Sequence, residues 1–193
     1  MAVSEEGRVA CDMRYCAFSR QQQQGTRRNT GTSAASLKVR GRSARDAETD
    51  AEEREVSALV AHAIEPSVRV ETIPKSVVDL NVLTTEDDGS VLAAACVACS
   101  VALANSGIEL KDLVSACTVV KISGRVVVDP TAAEERIADG GIVLALMPSL
   151  NEVTQLHQWG ELSQQDISDS MDLCLDGCNR VHSLMKKALV SDI

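Results

Sequence analysis

Aromatic side chains are scarce in this sequence of 193 residues. Tyr15, Phe18 and Trp159 are the whole set, or 2% of the chain. Apolar residues as a group reach an ordinary 45%, so a hydrophobic core must consist mainly of Val, Leu, Ile and Ala. The scarcity also excludes a surface on which many nucleic-acid bases stack on aromatic rings.

Long hydrophobic runs are missing as well. The longest nearly apolar run, Val91 to Ala104, is too short and too rich in Ala to span a bilayer. The first residues, MAVSEEGR, lack the apolar segment of a secretory signal. Without such a signal, the seven cysteines, an odd number, predict free thiols in a reducing compartment. We therefore expect a soluble protein with no membrane association.

Acidic residues are absent between Arg20 and Arg45, where four consecutive Gln precede Gly, Thr, Ser and Arg. Residues 1–45 carry nine Arg or Lys against three acids, whereas residues 46–193 carry ten bases against 25 acids. This asymmetry is typical of a polyanion-binding segment on an acidic body, and equally of a solvated disordered stretch. The predicted division is a remnant N-terminal strand region at 1–19, a basic flexible loop at 20–48 and a domain body at 49–190.

Hydrophobic periodicity predicts the elements of the first half. A strand is expected within residues 7–19, and a helix follows whose apolar face runs from Val56 to Ile64. Thr49 and Glu52 predict a capping box at its start, with Glu53 at the positive end of the helix dipole. A second strand is predicted at 76–85. The next segment, 90–105, is small and apolar all round, which predicts a helix buried on most sides.

The second half predicts a hairpin, two more strands and a final helix. The hairpin strands are 116–122 and 125–129, joined by Ser123 and Gly124. Residues 142–147 and 153–159 follow as strands, and Ser163 with Asp166 begins a long helix with one apolar stripe that packs on a sheet. This order of elements predicts an α+β layered domain.

Four stretches carry a resemblance to a known family: CDMRYCAFS at 11–19, IEPSV at 64–68, LAAACVACSVALANSGIELKDLV at 92–114 and VVDPTAAEERIADGGIVLALMPSLNEVTQL at 127–156. In this order they resemble RNase PH-like ring subunits of the eukaryotic RNA exosome, of the mRNA-transport-regulator type. The resemblance implies an RNase PH-like (ribosomal protein S5 domain 2-like) layered βαβα fold. It also implies N-terminal truncation, because the family's first strands have no counterpart here. We therefore expect an open sheet edge at Val9 to Met13.

Active members of this family use phosphate to remove the last nucleotide from an RNA 3′ end. They carry a Gly-Thr-Arg or Gly-Ser-Arg at the start of the Ala-rich helix, where the resemblance places Val91 and Leu92. They also carry two Asp six residues apart, where it places Glu135 and Gly141. Val91 and Leu92 cannot hold a phosphate, and the carboxylate pair is incomplete. The nearby carboxylates Glu134 and Asp139 are expected in a solvated turn, so no catalytic residue is predicted.

The resemblance therefore implies a non-catalytic subunit that supports 3′-to-5′ processing and degradation of RNA, including rRNA, by positioning RNA for a separate nuclease. Its implied partners are other RNase PH-like ring subunits and cap subunits, in the nucleus, the nucleolus and also the cytoplasm. No cofactor is implied. The loop predicts a weak, non-specific contact with single-stranded RNA through Arg27, Arg28, Lys38, Arg40, Arg42 and Arg45.

Three alternatives stay open. The chain could be an active phosphate-dependent 3′-to-5′ exoribonuclease, or a truncated interaction protein that binds ring subunits. The pairs Cys96/Cys99 and Cys174/Cys178 could supply four zinc thiolates. Because both pairs fall inside predicted helices, buried small apolar side chains are the favoured interpretation, and no metal site is predicted.

Overall fold

The computed structural model of the chain describes residues 7–16, 18–19 and 44–191, and no side chains for 44–48. Within these ranges, strands and helices follow one another in nearly the predicted order. The strands are β1 (Arg8–Tyr15), β2 (Val77–Thr84), β3 (Ser115–Ile122), β4 (Arg125–Val128), β5 (Gly140–Met147) and β6 (Glu152–Gly160). The helices are α1 (Ala44–Ile64), α2 (Val91–Asn105), α3 (Ala132–Ile137) and α4 (Gln164–Ser191).

The strands form two sheets that enclose a helical layer. β1 pairs with β2 in parallel along all eight residues of each, and the second sheet is antiparallel in the order β4-β3-β5-β6. Helix α1 contacts β1 and β6, and α2 contacts β2, β3 and β5, so both helices lie between the sheets. Helix α4 covers the other face of the four-stranded sheet through β3, β4 and β5. The predicted α+β layered fold is confirmed.

The continuous apolar run at 142–147 lies in strand β5 and packs into two hydrophobic cores. All eight of its residues are buried. Successive side chains of a strand point to opposite faces. Accordingly Val143, Ala145 and Met147 join the core around α1 and α2. Their neighbours Ile142, Leu144 and Leu146 join the core beneath α4. β5 thus contributes side chains to both hydrophobic cores.

The predicted turn chemistry is confirmed at two places. Ser123 and Gly124 have φ of +48° and +79°, which is the left-handed geometry that a two-residue hairpin requires. Before α4, the Ser163 Oγ accepts the Asp166 backbone N–H at 3.2 Å, and Asp166 Oδ2 accepts the Ser163 N–H at 3.0 Å. Asp166 also pairs with Lys121 on β3. The capping box therefore ties the first turn of α4 to the sheet.

The capping box predicted at Thr49 is wrong. Helix α1 begins at Ala44, so Thr49 and Glu52 lie within the helix, and five residues assigned to the basic loop are helical. Glu53 is not near the helix start either. It is 7% exposed and faces β1.

The edge of β1 predicted to be open is partly covered. On one side β1 bonds to β2, and on the other side α1 supplies acceptors for two backbone donors. The Met13 N–H donates to Ser57 Oγ at 2.8 Å and the Tyr15 N–H to Glu53 Oε1 at 3.0 Å. Covering an edge strand with a helix satisfies its unpaired donors. Buried Glu53 and Ser57 therefore satisfy backbone donors at the edge of β1, which the sequence pattern did not indicate.

Helix α2 is less buried than predicted. Ala94, Ala98 and Ala102 form an exposed stripe, while Ala95, Cys96 and Cys99 face the core. The stripe borders a groove of about 530 Å³ whose other wall is β2. We call it the β2–α2 groove, lined by residues 78–83 of β2 and by Ala98, Cys99, Ala102 and Leu103 of α2. Within the described residues, no helix is long and apolar enough to cross a membrane.

Candidate functional site

The two segments singled out by the family resemblance meet in space. The turn before α2 approaches the loop before α3 so closely that a Cβ at Gly89 would lie 2.5 Å from the Pro130 carbonyl oxygen. The Ala132 N–H donates to the Asp88 carbonyl at 2.7 Å, and Gly89 itself has a φ of +99°, which favours glycine. The start of α2 and the start of α3 therefore form one local site.

Val91 and Leu92, at the start of α2, do not offer groups to a ligand. Both side chains are half-buried and pack against the core around α1 and α2. An aliphatic side chain in this position gives a phosphate oxygen neither a charge nor a hydrogen bond. Residues 91 and 92 therefore present only aliphatic side chains at the start of α2.

Glu135 occupies the positive end of α2. Its Oε1 accepts the Ser90 backbone N–H at 2.8 Å, so a carboxylate of this chain already takes one of the helix-terminal donors. Burial raises the pKa of Glu135, against the effect of the Ser90 hydrogen bond, and the charges of Asp87 and Asp129 raise it further. A second anion at this helix end would meet a crowded negative site.

The net charge around the starts of α2 and α3 also disfavours a bound phosphate. Residues 86–92 and 129–135 together contain six carboxylates and no Arg or Lys. A phosphate nucleophile needs cationic or neutral donors around its oxygens. Despite the many carboxylates, no group of three or more His, Cys, Asp or Glu in the described parts of the chain could hold a metal ion.

Glu134 and Asp139, the two carboxylates expected in a solvated turn, have structural partners. Glu134 completes a capping box for α3, accepting the Thr131 N–H at 2.8 Å, and these bonds lower the Glu134 pKa. Asp139 Oδ2 accepts the Ser123 N–H of the hairpin turn at 3.1 Å. The prediction of a solvated turn is therefore wrong for Glu134, which lies in a short helix, while Asp139 is exposed and anchors the hairpin.

Gly141 lies under an aromatic ring. It is buried on β5, opposite Trp159 of β6, and a Cβ there would lie 2.4 Å from Trp159 Cζ2 and 2.9 Å from Val120 Cγ1. Any side chain at this position, including a carboxylate, would have to displace the ring. Trp159 and Gly141 are therefore a packed pair that leaves no room for a side chain at position 141.

The predicted RNA-binding residues cannot be placed beside this site. Arg27, Arg28, Lys38, Arg40 and Arg42 lie outside the described residues. Arg45 is the second residue of α1, and its side chain is not described. The RNA contact through these residues stays a prediction.

The cysteines form two groups, one on each side of the four-stranded sheet. Cys96 and Cys99 of α2 lie in the core around α1 and α2, with Cys11 of β1 packed against it. Cys174 and Cys178 of α4 lie with Cys117 of β3 in the core beneath α4. The two helical pairs are thus on opposite sides of the sheet and do not share a four-thiolate site.

Two family models match successive parts of the chain. The model described as 3′ exoribonuclease family, domain 1, matches residues 4–109, and the model of domain 2 matches residues 112–177. Exosome complex component MTR3 of Homo sapiens is 34% identical over 188 residues, which are 95% of this chain and 61% of that protein. The mouse protein of the same name is also 34% identical, over 95% of this chain. The resemblance to the mRNA-transport-regulator type is thereby confirmed.

Other relatives match a shorter part of the chain. Exosome complex component Rrp41 of Cenarchaeum symbiosum is 35% identical over 137 residues, or 71% of this chain and 56% of that protein. The chain thus spans 56–61% of the length of these relatives. The crystal structure of rice Rrp46 has the same fold, with a TM-score of 0.72 at 19% identity over 96% of this chain and 74% of the other. This chain belongs to the RNase PH family of 3′ exoribonucleases.

Proposed function

We propose that the chain is a non-catalytic ring subunit of an RNA exosome. It supports 3′-to-5′ RNA processing and degradation by helping to position RNA for a nuclease elsewhere in the complex. The relatives that match almost the whole chain are exosome components, which supports membership of that complex. Exosome membership also supports a location in the nucleus, the nucleolus and the cytoplasm.

One observation carries the non-catalytic assignment. At the position where the resemblance places the family's phosphate anchor, half-buried Leu92 packs against the core, and Glu135 accepts the Ser90 N–H at the start of α2. Phosphorolysis depends on stabilising a phosphate anion and its developing charge. A carboxylate at that helix end works against both requirements. At Gly141, where the resemblance places the second carboxylate of active members, the ring of Trp159 occupies the space that a side chain would need. This observation supports the same assignment.

The surface that supports assembly is the β2–α2 groove. β2 bonds to β1 on one side only within the described residues, so its other edge presents backbone donors and acceptors. Leu83, 63% exposed, and Val77, 44% exposed, lie along that strand, beside the apolar stripe of α2. We infer that a neighbouring RNase PH-like ring subunit covers this groove, and that cap subunits bind the assembled ring.

RNA contact is assigned to the basic loop. The body beyond residue 45 carries 25 acids against ten bases, so its overall charge repels RNA. The acid-free segment supplies the cations instead, through Arg27, Arg28, Lys38, Arg40, Arg42 and Arg45. Contacts of this kind hold phosphates without reading sequence.

Co-expression with other RNase PH-like ring subunits tests the assignment. We expect the chain to co-elute with them in one stoichiometric complex on size-exclusion chromatography. Leu83→Arg should weaken this assembly. Leu184→Arg is the matched control, because Leu184 on α4 is also 63% exposed but lies outside the groove.

The outcomes separate the alternatives. A chain that never enters a ring with any subunit contradicts the proposal. A chain that binds one subunit but blocks ring closure favours the interaction-protein alternative. Equal effects of the two Leu variants would place the contact outside the β2–α2 groove.

A further inference from the structure

His182 is a buried histidine in the second half of α4 that takes no part in the candidate functional site. It is 5% exposed, and neither of its ring nitrogens has a hydrogen-bond partner among the described residues. The Asp112 Oδ1 lies 3.8 Å from the His182 Nε2, which is too long for a hydrogen bond. Buried polar groups are nearly always hydrogen-bonded, so the position of this ring needs an explanation.

Three segments of the chain meet around His182. Asp112, in the loop before β3, accepts the Ser149 backbone N–H at 2.7 Å and the Ser149 hydroxyl at 3.0 Å. Lys186, one helical turn after His182, donates to the same hydroxyl oxygen at 3.3 Å. The four side chains therefore connect α4 to that loop and to the turn between β5 and β6. We call these four residues the His182 cluster.

Two opposite charges act on the His182 ring. Burial lowers the His182 pKa below its ordinary value of 6.5, the charge of Lys186 lowers it further, and the charge of Asp112 raises it. Cys178, one helical turn before His182, is a thiol whose pKa burial raises to about 12, so it is uncharged near neutral pH. The folded chain therefore favours the neutral imidazole.

The other elements around α4 add no charge to the cluster. Helix α2, which contacts α4, and strand β5 contain no charged side chain, and neither does the turn at 148–151. The charged side chains of the remaining neighbouring segments are paired or exposed: Arg180 with Asp176, Glu109 with Arg69 and Lys121 with Asp166, and exposed Lys111, Arg125, Glu152 and Lys187.

We propose that the His182 cluster is an acid-sensitive contact: protonation of His182 loosens the second half of α4 from the loop before β3 and the turn after β5, while the first turn of α4 stays in place. This inference is independent of the proposed function.

The direction of the effect follows from the two protonation states. In the unfolded chain His182 takes up a proton as the pH falls through its ordinary pKa of 6.5, whereas the folded chain takes it up only at a lower pH. Well above pH 6.5 this group therefore leaves stability unchanged. Stability falls as the pH drops below 6.5, and it levels off below the pKa of the folded chain.

The two ends of α4 are held by different contacts. At the first turn Asp166 pairs with Lys121, and the Asp166 pKa is lowered to about 2, so this ion pair persists in mild acid. Beyond buried Met185, none of the residues 186–191 is buried. A helix end with few buried contacts opens at a low free energy. Mild acid should therefore release the second half of α4 before the first.

NMR of the full chain measures the titration directly, because the sequence contains only three histidines. His182→Gln assigns the His182 imidazole signal by its loss. We expect the midpoint of this signal to lie at lower pH than that of His62, which is exposed on α1. A midpoint equal to or above that of His62 would overturn the proposal, because protonation would then stabilise the contact with Asp112.

Urea denaturation at about pH 7.5 and about pH 5, on either side of the ordinary histidine pKa, tests the effect on stability. The urea midpoint should fall more in the native chain than in His182→Gln. Lys186→Gln should make the fall smaller, because the neighbouring cation lowers the His182 pKa. Lys187→Gln is the matched control and should behave like the native chain. Equal falls in the native chain and His182→Gln, or in the two Lys variants, would overturn the proposal.

Hydrogen exchange followed by mass spectrometry locates the loosened segment, after correction for the intrinsic effect of pH on exchange. We expect residues 179–191 to lose protection between about pH 7 and about pH 5, while residues 164–172 keep theirs. In His182→Gln the two halves of α4 should not diverge with pH. Protection lost evenly across α4 and the four-stranded sheet would mean global unfolding, and would overturn the proposal.

Discussion

Replacing Gly141 with Ala tests whether the ring of Trp159 fills the space that a side chain at position 141 would need. The added methyl would lie 2.4 Å from Trp159 Cζ2, 2.7 Å from Cη2 and 2.9 Å from Val120 Cγ1. All three distances are shorter than real contacts of a Cβ, so the ring must move. Overpacking a well-filled core costs about 1–3 kcal/mol, a large part of a total stability of about 5–15 kcal/mol. Gly141→Asp should cost more, because it also buries a charge.

Urea denaturation followed by circular dichroism measures this cost as a change in unfolding free energy. Trp159 is the only Trp of the chain, so its fluorescence reports directly whether the ring moves. Truncating the ring should relieve the clash. The double variant Gly141→Ala/Trp159→Ala should therefore lose less stability than the two single variants predict, by about 1 kcal/mol or more.

Gly140 supplies the matched control. A Cβ there would meet backbone atoms instead, the Trp159 carbonyl oxygen at 2.7 Å and the Glu161 nitrogen at 3.0 Å. Removing the ring cannot relieve that contact, so Gly140→Ala and Trp159→Ala should be additive. A Gly141→Ala variant with unchanged stability and fluorescence would refute the packing of Trp159 on Gly141. The same conclusion would follow if Trp159→Ala had equal coupling energies with Gly141→Ala and Gly140→Ala.

Three further predictions concern the loop, the edge of β1 and pH. Replacing Arg27, Arg28, Lys38, Arg40, Arg42 and Arg45 with Ser should weaken RNA affinity of the assembled ring. It should also lower the slope of log affinity against log salt by about 0.7 for each RNA phosphate that these residues no longer neutralise. Ser57→Ala should cost about 1–3 kcal/mol in urea denaturation, because the Met13 N–H is left without its acceptor. Asp166 has a pKa lowered to about 2 by Lys121 and Ser163. A lowered carboxyl pKa stabilises the fold above the ordinary value of 3.8. The stability difference between the native chain and Asp166→Asn should therefore shrink as pH falls from about 4 towards 2.

Each of these predictions has a control. Replacing exposed Arg125 and Arg136 with Ser should leave the slope of log affinity against log salt unchanged. An unchanged slope in the six-residue variant would show that these residues do not bind RNA and that the segment is a solvated linker. Ser183→Ala should be nearly neutral, since Ser183 is exposed on α4 and bonds only to a carbonyl of its own helix. A pH-independent difference for Asp166→Asn would contradict the ion-pair assignment.

Periodicity alone predicts the elements whose burial is local and regular. β5 follows from a continuous apolar run, the hairpin from Ser123-Gly124, and α4 from its capping box and apolar stripe. These signals succeed because side-chain spacing, turn geometry and capping depend on residues close in the sequence. The α+β layered fold follows from their order.

Contacts between distant residues escape such reasoning. Glu53 has the sequence context of a residue near a helix start, yet it binds the backbone of β1, 38 residues away. Glu135 contacts Ser90 across 45 residues, and α3 is short enough for its helical pattern to be taken for a turn. The Thr131-x-x-Glu134 spacing is the one local signal that would have indicated α3.

Phosphate-dependent shortening of RNA is the most direct test of the non-catalytic assignment. Labelled single-stranded RNA is incubated with phosphate and the chain, alone and assembled with ring partners, and nucleoside diphosphates are measured. We expect no release that depends on this chain, and no change on substituting Glu134, Glu135 or Asp139. Release of nucleoside diphosphates that disappears with Glu135→Gln would contradict the assignment and identify an active exoribonuclease.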